Sequence, residues 1–161
     1  MGVFILNYLN LQSKLDDVFK GDIRNNGVTI YAHYDNFINP NIIIFNFWDI
    51  EEDKAMADID RVLLQFSEQI KNGDYQKLIF SFRFNKKFYI NGDYLTKLGK
   101  EYSTQNPVYT LRTLAENIYK LNGQKAFSTW TGGLLGVIKE QMDDHNTFHQ
   151  EWYLEDWAKS H

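Results

Sequence analysis

His145 and His149 stand four residues apart, a spacing that sets two imidazoles on one face of a helix, where they could share a metal ion. Asp156, seven residues beyond His149, falls near that face and could add an oxygen. The pair lacks the Glu directly after the first His that makes H-E-x-x-H hydrolytic, and only His33 and His161 remain to extend it. Leu135, Ile138, Met142 and Trp152 continue the same stripe, so the competing reading is two part-buried histidines hydrogen-bonded where a helix meets a sheet. That second reading is the expectation, with no catalytic set and no cofactor.

Thr131-Gly132-Gly133 lies between an expected strand and an expected helix. Glycines at a helix N-terminus let backbone N–H groups approach an anion closely. The spacing is neither G-x-G-x-x-G nor a P-loop followed by Lys-Ser or Lys-Thr. A tight strand-to-helix turn, with one glycine at positive φ, explains it without a ligand, and Gly133→Val should then wreck the fold.

The third candidate is a surface. Residues 140–156 hold six acids (Glu140, Asp143, Asp144, Glu151, Glu155 and Asp156) and no Lys or Arg, within a chain of net charge −4. Glu151, Glu155 and Asp156 sit toward a helix C-terminus, where the helix dipole mildly disfavours negative charge. Trp152, Tyr153 and Trp157 interleave with them. Aromatic anchors with carboxylates around them suit a face that binds a protein with a basic surface. The same carboxylates would repel phosphates, which argues against nucleic acid. Residues 71–100 run the other way, with Lys71, Lys77, Arg83, Lys86, Lys87, Lys97 and Lys100 against Asp74 and Asp93. An edge strand lined with lysine explains them most simply, an acidic or RNA partner less so.

The elements that must carry these residues read clearly in places. Phe4, Tyr8, Leu11, Leu15 and Val18 recur at helical spacing and Gly21 stops them. Val28–Tyr34 and Asn41–Trp48 are β-rich and close enough to form an antiparallel hairpin. Asp49 and Glu52 have capping-box spacing ahead of a stripe of Met56, Ile59, Leu63, Phe66 and Ile70. Leu78, Phe80 and Phe82 alternate with polar residues, and Lys87–Ile90 returns as a partner strand. Helices are expected from Asp93 and from Pro107, then a fifth strand at Lys125–Trp130 and a long helix from about Leu134.

The result is one α+β domain over 1–161, of order α-β-β-α-β-β-α-α-β-α, with helices packed on a mainly antiparallel five-stranded sheet. This order resembles that of the roadblock and longin group, with two middle helices inserted, and is similar to small secretion-chaperone folds. The 161 residues suffice for one core, and the 12 Phe, 10 Tyr and 4 Trp are more than it easily hides. No cysteine is present, which removes disulfides and thiol chemistry. No apolar run reaches a membrane span and the N-terminus lacks a signal-peptide pattern, so a cytoplasmic chain without membrane contact is expected. Asn-rich, Lys-over-Arg usage reads as bacterial. Together these favour a non-enzymatic binder, an immunity protein or secretion chaperone, docking through Glu151 to Trp157. A small metal- or anion-binding enzyme using His145 and His149 or the glycine turn is the second reading. A homodimer, joined as in a roadblock-like scaffold, is the third.

Overall fold

Period-two alternation sets up the sheet in the computed structural model, which describes residues 2–161. β1 (Val28–Asp35) and β2 (Asn39–Ile50) pair antiparallel, as the two β-rich runs predict. β3 (Lys77–Phe82) lies parallel to β2, with Phe80 opposite Phe45. β4 (Asn85–Asn91) returns antiparallel on β3, and β5 is only Tyr119–Lys120, antiparallel to β4. The spatial order is β1-β2-β3-β4-β5. The sheet is therefore mixed, which corrects the expected mainly antiparallel arrangement. The helix between β2 and β3 is the cause: it carries the chain back along the sheet, so the two strands it joins run the same way.

The expected strand at Lys125–Trp130 does not form. Gly123, at φ 91, turns the chain straight after β5. Lys120 N–H then donates to Gln124 O and Ala126 N–H to Ile118 O, leaving Lys125 as an isolated bridge to Tyr119. Residues 128–131 continue as irregular chain.

The first helical rod runs from α1 (Gly2–Asn7) through a π-helical turn (Tyr8–Gln12) into α2 (Ser13–Gly21), and it buries Leu11, Leu15 and Val18. Phe4 and Tyr8, expected on the same stripe, have side chains outside the described residues. α3 (Met56–Ile70) buries Ile59, Leu63, Phe66 and Ile70 as its stripe predicts. It begins later than Asp49 suggests, because β2 extends to Ile50; the Asp58 carboxylate accepts the Ala55 N–H at its start, 2.8 Å away. α4 (Gly92–Tyr102) packs Tyr94, Leu95 and Leu98 inward, and α5 is only Pro107–Arg112. α6 (Leu134–His149) passes through a second π-helical turn (Gln150–Leu154) into α7 (Glu155–Lys159).

These helices give a single α+β domain whose core lies on one side of the sheet. Ile43, Phe45, Phe47, Leu78, Phe80, Phe88 and Ile90 face that core together with α2, α3, α4 and the α6–π segment. The alternate residues Tyr31, His33, Ile44, Asn46, Trp48, Ile79, Ser81 and Tyr89 fall outside it, on a face over which no helix packs among the described residues. Among the described residues, no helix is long and apolar enough to cross a membrane.

Candidate functional site

α6 delivers His145 and His149 to the interior, where they meet Asp60 of α3. His145 Nε2 lies 2.8 Å from Asp60 Oδ2 and His149 Nε2 lies 2.8 Å from Asp60 Oδ1, all three side chains being buried. A carboxylate only accepts, so each Nε2 donates to it. On its other side His149 Nδ1 lies 2.8 Å from the Tyr153 hydroxyl, which donates to a neutral ring and accepts from a protonated one. Burial opposes ionisation of Asp60, but attraction to His149 and the hydrogen bonds from both rings outweigh it, holding the carboxyl below its ordinary range. Burial, with the Asp60 charge beside it, pushes the Tyr153 hydroxyl well above its usual value. The donor atoms of Asp60, His145 and His149 lie within 4.8 Å of one another, a set that could hold a metal ion.

The spacing of the two histidines therefore marked a real pair, while its carboxylate comes from elsewhere in the chain. Asp156, expected to add the oxygen, instead pairs with Lys87 at 2.6 Å. Asp60 sits in the sequence beside Ile59 and one turn before Leu63 and Leu64, an acid at the edge of an apolar stripe. That position was the available signal for it.

The C-terminal rings sit differently from the expectation of an outward face. Trp152 is 1% exposed and lies among Phe45, Phe80 and Phe148, and its indole N–H donates to Ser81 O at 2.9 Å. Tyr153 stacks on Phe47 with centroids 4.1 Å apart. Both residues fall within the π-helical turn, directly after Phe148 and His149, which the last turn of α6 already buries. Trp157 is half-buried and donates to Asp49 Oδ1 at 2.8 Å. Glu151 and Glu155 stay outside. The outer row thus keeps carboxylates and loses two of its three aromatic anchors.

Thr131, Gly132 and Gly133 are exposed and follow irregular chain rather than a strand. Gly132 has φ 122, whereas Gly133, the residue before α6, has φ −63 and ψ 139. Nothing lies within 4 Å of a Cβ built on either. No side chain is gathered there to hold an anion.

The helix-free face carries the features that sequence reasoning missed. Both hairpin turns place a phenylalanine at positive φ, Phe37 at 61 and Phe84 at 68. Both rings fold back against His33, with centroids 4.5 and 5.7 Å away. His33 Nδ1 bonds the Tyr34 carbonyl at 3.0 Å, and its buried Nε2 has no partner. Around this centre lie Trp48, Tyr31, Arg83 over the Trp48 ring, and Lys86 paired with Asp35 at 2.7 Å. A cavity of about 150 Å³ opens between His33, Ile44, Phe84 and Lys86. Comparison of the chain with protein-family models, curated proteins and solved structures finds no match.

Proposed function

We propose that the chain is a non-enzymatic protein-binding domain, of the kind used as immunity proteins or secretion chaperones, and that it docks an acidic protein surface on the helix-free face of its sheet. The pair of turn phenylalanines carries this reading. A bulky residue held at positive φ costs about 1–3 kcal/mol, and Phe84 remains 58% exposed for that cost. A partner that covers the ring accounts for the arrangement better than the stability of the isolated chain does. Tyr31 and Phe84 supply anchors, and Lys77, Arg83 and Lys86 outnumber Asp35 on the same face. A basic partner on the outer row of Glu151 and Glu155 would be steered but not anchored, because Trp152 and Tyr153 lie in the core.

The test replaces Tyr31, Phe84 or Glu155 in turn with a photo-reactive amino acid in the source cell. Positions 31 and 84 are expected to cross-link one acidic protein. The adduct should weaken in Lys86→Gln, whose folding is checked by its melting temperature, and weaken at high salt. Adducts from position 155 alone, or from 31 and 84 to nucleic acid or a second copy of the chain, would overturn the proposal.

A further inference from the structure

We propose that Asp60, His145 and His149 form a buried zinc site that clamps α3 to α6. The three residues come from helices far apart in sequence, yet both rings offer the same nitrogen, Nε2, to one carboxylate. Two imidazoles and a carboxylate are a donor set that suits zinc. Zinc–ligand bonds of about 2.0–2.1 Å set neighbouring tetrahedral ligands about 3.3 Å apart, so the two 2.8 Å contacts open by about half an ångström while the widest separation in the set, up to 4.8 Å, closes by about 1.5 Å as the rings turn toward the ion. Three protein ligands leave a fourth position for water.

The surroundings of the two rings argue for the ion independently. A zinc-bound imidazole carries its proton on the far nitrogen and needs an acceptor there. His149 Nδ1 already lies 2.8 Å from the Tyr153 oxygen, which stacking on Phe47 holds in place. His145 Nδ1 is buried without a partner, and one helical turn earlier Gln141 Oε1 is a buried acceptor also without one. Zinc on Nε2 would move the His145 proton to Nδ1, where a small turn of the Gln141 side chain would have to bring its oxygen within reach. A divalent ion also balances a carboxylate that the fold buries with no lysine or arginine paired to it among the described residues. Access is short, since Tyr153 also lines a surface cavity of about 440 Å³ shared with Met56, Asn146 and Gln150.

The full chain is unfolded in guanidinium with a chelator, then refolded with no metal, with equimolar Zn²⁺ or with equimolar Co²⁺. The proposal expects one Zn²⁺ per chain after gel filtration and a melting temperature about 5–10 °C above that of the metal-free protein. The Co²⁺ form should show visible d–d absorption. Asp60→Asn and His149→Gln should each abolish that absorption, and His161→Gln should keep it. Should the variants fail to fold, the stoichiometry and spectrum of the native sequence decide alone. A native sequence that refolds and retains neither ion would reduce the cluster to a hydrogen-bonded clamp. Absorption surviving in Asp60→Asn but lost in His161→Gln would mark an adventitious surface ion, and either result overturns the site.

Discussion

Asn46 Oδ1 accepts two hydrogen bonds at once, from the Ser81 hydroxyl at 2.8 Å and from the backbone N–H of Phe84 at 3.0 Å. One fully buried side chain on β2 thereby holds both the neighbouring strand and the turn that carries the Phe84 ring. Asn46→Ala strands both donors and is expected to lower stability by about 2–3 kcal/mol in denaturant titration. It should also speed tryptic cleavage after Arg83. An unchanged cleavage rate would show that the turn is held by ring packing alone.

The placement of Trp152 leads to a second expectation. Trp152→Ala removes the ring at the centre of the core and should cost about 3–5 kcal/mol, whereas Trp152→Phe keeps most of the packing and loses chiefly the bond to Ser81 O, about 1–2 kcal/mol. A surface ring would give changes of about half a kcal/mol in both cases. Denaturant midpoints at constant slope distinguish the two.

Burial lowers the pKa of His33, against the opposing pulls of the Tyr34 carbonyl and Asp35 and with a small push from Lys86. The unfolded chain therefore takes up its proton first as pH falls below about 6.5. Stability linked to this ring is intact above that pH and is lost as pH falls through the lower folded value. Between about pH 7.5 and 5.5 the melting temperature of the native sequence should drop more than that of His33→Gln. Parallel curves would mean that the ring titrates as it does in water.

The two glycines before α6 should respond oppositely to a methyl group. Gly132→Ala forces a side chain to φ 122 and should cost about 1–3 kcal/mol. Gly133→Ala, at φ −63 with open space around it, should change stability by less than about 0.5 kcal/mol. Gly133→Val is accordingly expected to fold, contrary to what the sequence suggests. Thermal unfolding of the three variants is the measurement.

The parts of the fold that were legible follow one rule: a side-chain period over a long enough stretch. Ile59, Leu63, Phe66 and Ile70 announced α3, and Leu78, Phe80 and Phe82 announced the buried side of β3. The parallel pairing of β2 with β3 left no residue-level mark, because it depends on where α3 returns the chain. His145 and His149 were visible as a pair, since helical spacing is local. Asp60 was hidden by 85 and 89 residues of separation. Trp152 was misplaced with Tyr153 because the interleaved acids drew both outward, although Trp152 shares the helical stripe of His145 and His149 that the structure buries. Leu135 shows the same rule failing toward the helix start: it belongs to the stripe yet is 85% exposed, and Leu134 and Gly136 beside it are exposed too, so nothing among the described residues covers the first turn of α6.

Residues 148–153 follow all five strands in the chain, yet Phe148 and Trp152 pack directly on Phe80, and Trp152 and Tyr153 on Phe47. During translation, the part of the sheet around Phe47 and Phe80 must wait incompletely covered until the ribosome has released this late lid. A nascent or nicked polypeptide ending before Phe148 would resemble a sticky half-molecule, and its quality-control burden in the cell would be set by that delay.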